Sequence, residues 1–215
     1  FIPNTSETAF YGLMEGLYDH LNQRKAKHIL ALPQPISSED LNAILFSKPR
    51  IEKLVVKDDK MRTFIANDKV RGKMVSHVYD VTYGVVRPGV DTLVVLDDSV
   101  VRGTTLRDSI IHILSTLKPK KIIVVSSAPQ IRYPDCYGID MSQIEKFAAF
   151  KALVELLQEH NKEDLLEEKK KKCLAQQQVP IDKMTNYLAE LYESFSYEEI
   201  SKKIGQMLTP ENAPS

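Results

Sequence analysis

Asp97 and Asp98 are followed directly by Ser99-Val100-Val101-Arg102-Gly103-Thr104-Thr105. Two carboxylates, three hydroxyls and a glycine in one short stretch are suited to holding a phosphorylated polyol. Ser99, Thr104 and Thr105 supply hydroxyl donors, and Gly103 lets the backbone come close to a ligand. A helix beginning just after them adds unpaired N–H groups and the positive end of its dipole, which suits a phosphate monoester. The acidic pair would repel that phosphate, so Asp97 and Asp98 call for a hydroxyl or cationic partner such as a ribose diol or hydrated Mg2+. Cradle and acidic pair together point to a sugar phosphate.

The flanking residues read as the elements that would position this stretch. Leu93-Val94-Val95-Leu96 reads as a buried parallel strand, and Leu106–Leu117 repeats its apolar residues at helical spacing. Ligands bind outside the carboxyl ends of such strands. A plainer reading, a buried strand ending in a polar turn with a Thr cap, leaves the adjacent aspartates unexplained. No Gly-Lys-Ser/Thr ends the turn, which excludes a Walker A loop, and there is no Gly-x-Gly-x-x-Gly dinucleotide loop.

Lys121-Ile122-Ile123-Val124-Val125-Ser126 is a second buried strand, joined to the first as a βαβ unit. Upstream, Ser6 stands where an N-cap belongs before Phe10, Leu13, Met14, Leu17 and Leu21, an apolar stripe. Strands are expected at 28–32 and 51–56, with a short helix opening at Ser38-Glu39-Asp40 between them. Residues 74–91 suggest a hairpin or flap through their Tyr83-Gly84 and Pro88-Gly89 turns. Downstream, Ser142 with Glu145 forms a capping box for a helix through Ile144, Phe147, Val154 and Leu157. Residues 163–178 read as an exposed helix end or linker. Ile181, Met184, Leu188, Leu191 and Phe195 form one further stripe, and Ser196 with Glu199 caps a last helix through Ile200, Ile204 and Leu208.

At 215 residues and zero formal net charge, the chain can bury one proper core and gives no electrostatic case for nucleic acid or an anionic membrane. No apolar run reaches the length of a membrane span and no signal peptide is visible, so a cytoplasmic location is expected. Cys136 and Cys173 are too few and too far apart for a disulfide framework, and His20, His28, His77, His112 and His160 show no metal-ligand spacing. Without a Cys-x-x-Cys, no iron–sulfur cluster is expected.

Asp97-Asp98-Ser99-Val100-Val101-Arg102-Gly103-Thr104-Thr105 resembles the phosphoribosyl-pyrophosphate (PRPP) motif of type I phosphoribosyltransferases, in the form found in amidophosphoribosyltransferases. Ser126–Pro134 and Tyr137-Gly138-Ile139-Asp140-Met141 are similar to the same family downstream of that motif. The resemblance is clearest over residues 91–146. It implies an α/β type I phosphoribosyltransferase fold, with a mostly parallel central sheet flanked by helices in a core of residues 1–146, and a C-terminal helical extension over 147–215.

The resemblance also implies residue roles. Residues Asp97 to Thr105 would bind PRPP. Ser6, Asp97 and Asp98 would serve Mg2+, with Ser6 in the Ile2–Ser6 loop that faces the pyrophosphate. Arg62, Arg71 and Lys73 would be the cations of a catalytic loop. Lys57-Asp58-Asp59-Lys60 stands where the family has Asn-Arg-Tyr. An aspartate there repels pyrophosphate, so PRPP binding is implied more firmly than turnover. The reaction implied is PRPP plus ammonia giving 5-phosphoribosylamine and pyrophosphate in purine synthesis, with ammonia from a glutaminase domain or subunit, a homo-oligomeric assembly and inhibition by purine nucleotides. Phe1-Ile2-Pro3 reads as the tail of a strand, so the chain is expected to be a piece of something longer, without that glutaminase domain. Two other readings are a non-catalytic PRPP- or nucleotide-sensing module, favoured by the substituted loop, and a nucleobase salvage transferase, disfavoured by Arg102 and the 137–141 match.

Overall fold

The computed structural model describes residues 7–52, 55–57, 79–82, 84–104, 106–136 and 141–210. The expectations for Ser6, Arg62, Arg71, Lys73, Thr105, the Asp58–Lys60 loop and the Tyr137–Asp140 loop lie outside these residues.

Helices dominate. Helix α1 (Glu7–Ala31) has no buried residue and leads through a turn to α2 (Ser38–Leu45), whose N-cap is Ser37. The Ser37 Oγ accepts the Asp40 N–H at 3.0 Å. The strand expected at 28–32 is a correction: His28–Ala31 complete α1. A run of five apolar-rich residues is ambiguous between helix and strand, and the helix formers Gln23–Lys27 carry the helix through it.

Strand β1 (Val55–Lys57) pairs antiparallel with β2 (Tyr79–Val81). Ile51 and Glu52 lie outside β1, so that strand starts later than its apolar pattern suggests. Its partner comes from the 74–91 segment, which thus pairs with a strand outside itself. Arg50 and Arg87 both bind Asp91, at 2.9 and 2.7 Å, and tie this region to the strand that follows. The bonds from Arg87, joined by that from Arg50, hold the Asp91 carboxyl well below its ordinary value.

Strand β3 (Thr92–Asp97) and β4 (Lys121–Ser126) pair in parallel, with Thr92 opposite Lys121 and Asp97 opposite Ser126. Between them a π-helical stretch, Leu106–Ile111, runs directly into α3 (His112–Thr116). The π-helical stretch and α3 pack Leu106, Ile110, Ile111 and Leu114 against Val95 and Val86. On the opposite face of the sheet the cross-strand partners Val94 and Ile123 stay 56% and 39% exposed, so β3 is covered on one face at this level where full burial was expected.

The helices α4 (Ala148–Glu159), α5 (Glu163–Ala175), α6 (Tyr187–Tyr192) and α7 (Tyr197–Leu208) complete the fold. Ala149, Ala152, Leu153, Leu156 and Leu157 repeat at i, i+3, i+4, i+7 and i+8, so one stripe of α4 meets Leu191, Tyr192, Phe195 and Ile200 in a second core. The capping box at Ser142 does not form: Ile144–Lys146 is a single 3-10 turn, and α4 starts only after the extended, fully buried Phe147. The stripe from Ile181 to Phe195 is likewise broken, into a 3-10 turn over Ile181–Lys183 and α6 with Asn186 as its N-cap, leaving Ile181 at 87% exposure. The box at Ser196 forms as expected, with Ser196 N–H donating to Glu199 Oε2 at 2.7 Å and Glu199 N–H to Ser196 Oγ at 3.2 Å. Ser196→Ala is expected to lower stability by about 1 kcal/mol, measured by urea unfolding.

The expected large parallel sheet is overturned. Among the described residues there are two separate two-stranded sheets and seven α-helices. The physical reason lies in where the apolar surface goes: Tyr192, Phe147, Leu153, Leu157 and Ile200, the largest fully buried side chains apart from Pro119, belong to the helical C-terminal part and its approach. No helix among the described residues is long and apolar enough to cross a membrane.

Candidate functional site

β3 delivers the acidic pair to its carboxyl end. There the chain turns back on itself: Asp97 Oδ1 accepts the Asp98 N–H at 3.0 Å, and Asp98 Oδ1 accepts the Ser99 N–H at 2.9 Å. The segment after β4 clamps this end, with Ser127 and Ala128 N–H groups donating to the Asp97 and Asp98 carbonyls, each at 2.9 Å. The Ser127 hydroxyl adds a bond to the Asp98 carbonyl at 3.0 Å. Both carboxylates are half-buried. Burial pushes the Asp97 carboxyl up to about 6; the N–H of Asp98 opposes the shift and the Asp98 carboxyl adds to it. A cation or a pair of hydroxyl donors placed here relieves that cost.

Ser99, Val100, Val101, Arg102 and Gly103 are half-buried and Thr104 is exposed. Gly103 has φ +73°, and its carbonyl accepts the Arg107 N–H at 2.9 Å, which opens the helical turn. The loop is held from two sides by the far end of the chain. The Val101 carbonyl accepts the Ala148 N–H at 2.7 Å, so the first turn of α4 is anchored by a distant loop in place of a local cap. From the other side Leu208 of α7 lies so close that a Cβ built on Gly103 would stand 2.6 Å from its Cδ2. The close approach that Gly103 permits in this structure is to Leu208.

A cavity of about 100 Å³ beside the loop is lined by Arg102, Gly103, Thr104, Arg107, Lys151 and Leu208 among others. Arg107 and Lys151 thus join Arg102 near the loop, and sequence reading missed both. Lys151 lies far along the chain and leaves no local signal, while Arg107 sits on the helix just past the motif. Arg107 is held by Asp108 at 2.6 Å. The Arg132 guanidinium lies 4.8 Å from the Tyr192 ring and 5.4 Å from that of Tyr197, with Nε and Nη2 donating to Gln130 Oε1 at 3.0 and 2.8 Å. Burial raises the Tyr192 phenol above its ordinary value. No cluster of three or more metal-ligating side chains occurs among the described residues, so a cation here would rest on the Asp97–Asp98 pair together with groups of its ligand.

No family model matches the chain. Curated relatives do. It is 43% identical over 58 residues to the amidophosphoribosyltransferase of Haemophilus influenzae, a match covering 27% of this chain and 11% of that protein. Against the Escherichia coli amidophosphoribosyltransferase it is 32% identical over 124 residues, 56% of this chain and 24% of the relative. The chain is a distant, partial homologue of the amidophosphoribosyltransferases. The homology extends to the Pyrococcus horikoshii enzyme, at 38% identity over 68 residues. The chain spans between about a tenth and a quarter of the length of these amidophosphoribosyltransferases. A solved structure described as the allosteric regulatory enzyme of purine biosynthesis is 31% identical, covering 59% of this chain and 27% of that one, with a TM-score of 0.39.

Proposed function

We propose that the chain binds PRPP at the carboxyl end of β3 and transfers its phosphoribosyl group to ammonia, as the transferase portion of an amidophosphoribosyltransferase. The observation that carries this reading is the acidic pair at the end of a parallel strand, half-buried and poised to ionise near neutrality, in a chain homologous to that family.

In the proposed reaction the ammonia lone pair forms a bond to the anomeric carbon, the bond from that carbon to pyrophosphate breaks with its electron pair, and a proton leaves to solvent. Asp97 and Asp98 hold the ribose diol, and their charge favours the positive ring of the transition state. Residues Ser99 to Thr105 hold the 5-phosphate through hydroxyl and backbone donors. Ser6, Arg62, Arg71 and Lys73 are proposed to face the pyrophosphate. The donor chemistry of Asp97 and Asp98 fits Mg2+, which takes one or two carboxylates plus substrate oxygens and supplies neutralising charge to the leaving group. Residues 1–146 are proposed as the transferase core and 147–215 as a helical extension docked on it. A glutaminase domain or subunit would deliver the ammonia, in a homo-oligomer open to purine nucleotide inhibition.

The position of Leu208 against Gly103 favours a second reading, a module that binds PRPP or a nucleotide without turnover, because it narrows the space beside the loop. One experiment separates the two: calorimetric titration of PRPP with Mg2+, with pyrophosphate release assayed after adding ammonium. Binding with release, both lost in Asp97→Asn/Asp98→Asn, supports the transferase. Binding without release supports the sensor, and absence of binding overturns both.

A further inference from the structure

Among the described residues β4 has a strand neighbour on one side alone, β3. Along its other edge no strand among the described residues pairs the row of backbone N–H and C=O groups. Bordering β4 is a cavity of about 720 Å³, within the roughly 300–1,000 Å³ typical of ligand pockets. Its floor is the alternating set Ile122, Val124 and Ser126 of β4, and its far wall is one face of α7, Ile204, Gly205 and Leu208. Strand edge, alternating floor and a helical wall are the parts of a β-augmentation groove, in which main-chain bonds supply affinity and pockets for alternate side chains supply selectivity.

The charges choose an orientation. Lys120 and Lys121, both exposed, line the groove at the start of β4, whereas its other end carries Ser126, Ala128 and Gln130, which are uncharged. An added strand running antiparallel to β4 brings its carboxyl end to the two lysines. We propose that this groove takes an extended peptide segment of a partner protein, with apolar or small residues alternating along it and an acidic carboxyl end. Such a segment would pair with Lys121–Ser126, about 20 Å of strand at roughly 3.3 Å per residue.

Gly205 provides a clean test, since a Cβ there meets nothing within 4 Å. Gly205→Leu fills the groove from a position where leucine is the better helix former, so the variant is expected to fold. The probe is a fluorescein-labelled peptide of alternating valine and threonine ending in two aspartates, followed by polarisation, with hydrogen exchange read at the β4 amides. Expected are saturable binding, new protection at residues 121–126, and affinity weakened by about tenfold or more in Gly205→Leu and in Lys120→Glu/Lys121→Glu. N-methylating alternate peptide nitrogens in one phase abolishes binding, and in the other phase it does not. Absence of binding, equal binding of both N-methylated peptides, or binding indifferent to Gly205→Leu overturns the proposal. Concentration-dependent protection of β4 without peptide also overturns it, in favour of a second copy of the chain.

Discussion

In the Asp97→Asn variant, PRPP binding in the presence of Mg2+ is expected to disappear while the fold at pH 7 gains on the order of 1–2 kcal/mol. The two effects share one cause. Burial raises the Asp97 carboxyl from 3.8 to about 6. Between these values the folded chain keeps a proton that the unfolded chain has released, so stability falls as pH rises through that window. Above about 6 the folded chain bears the full cost of the buried charge. The full shift would correspond to nearly 3 kcal/mol at roughly 1.4 kcal/mol per unit, and solvent access to the half-buried group reduces it to the smaller figure. Asparagine carries no such cost. Urea unfolding midpoints of the two proteins should therefore coincide near pH 4 and separate by pH 7, with the variant the more stable. PRPP affinity of the wild type should run the other way and strengthen from pH 5 to 7 as Asp97 ionises. A variant that binds normally would show that this carboxyl does not hold the ligand, and one whose stability tracks the wild type at every pH would show that it stores no such cost.

Gly103→Ala is the second large expectation, a loss of about 2–5 kcal/mol. About 1–2 kcal/mol comes from placing a Cβ on a backbone at φ +73°. A further 1–3 kcal/mol, roughly, comes from overpacking against Leu208 Cδ2, which must shift within a core that also contains Val95, Leu106 and Ile110. The terms separate in a double-mutant cycle. In a Leu208→Ala background, Gly103→Ala should cost only the backbone part, and the difference measures the coupling of loop to helix. If Gly103→Ala costs the same in both backgrounds, the glycine serves conformation alone and the packing with α7 is incidental to it.

The stretch from Asp91 to Ser126 was the most legible. Its strands are short, apolar and β-branched, its turn carries a glycine that takes positive φ, and the parallel pairing follows from the helix between them. Legibility failed where a distant contact replaced a local signal. Ser142 and Glu145 spell a capping box, yet the N–H group that begins α4 finds its acceptor in Val101, and Phe147 goes into the interior. His28–Leu32 spelled a strand because five residues cannot distinguish a buried strand from the end of a long helix. The broad sheet implied by resemblance failed for a larger reason: among the described residues the C-terminal helices close a core of their own around Leu153, Leu157, Tyr192 and Ile200, and β3 pairs with β4 alone. The acidic pair could be found from sequence, but its half-burial and the Arg107 and Lys151 side chains nearby could not, since each depends on tertiary placement.

The bond from Ala148 to Val101 and the seat of Leu208 on Gly103 have a consequence for how the chain acquires its shape. Both partners follow the loop from much later in the sequence, so the loop takes its final form only after the last helix exists and has docked. Contacts of such long sequence separation pay loop-closure entropy before they return any energy, which slows folding. On the ribosome, which delivers the N-terminal part first, β3 and its acidic turn emerge early and wait for α7. The residues most suited to hold a ligand are thus among the last to be set in place.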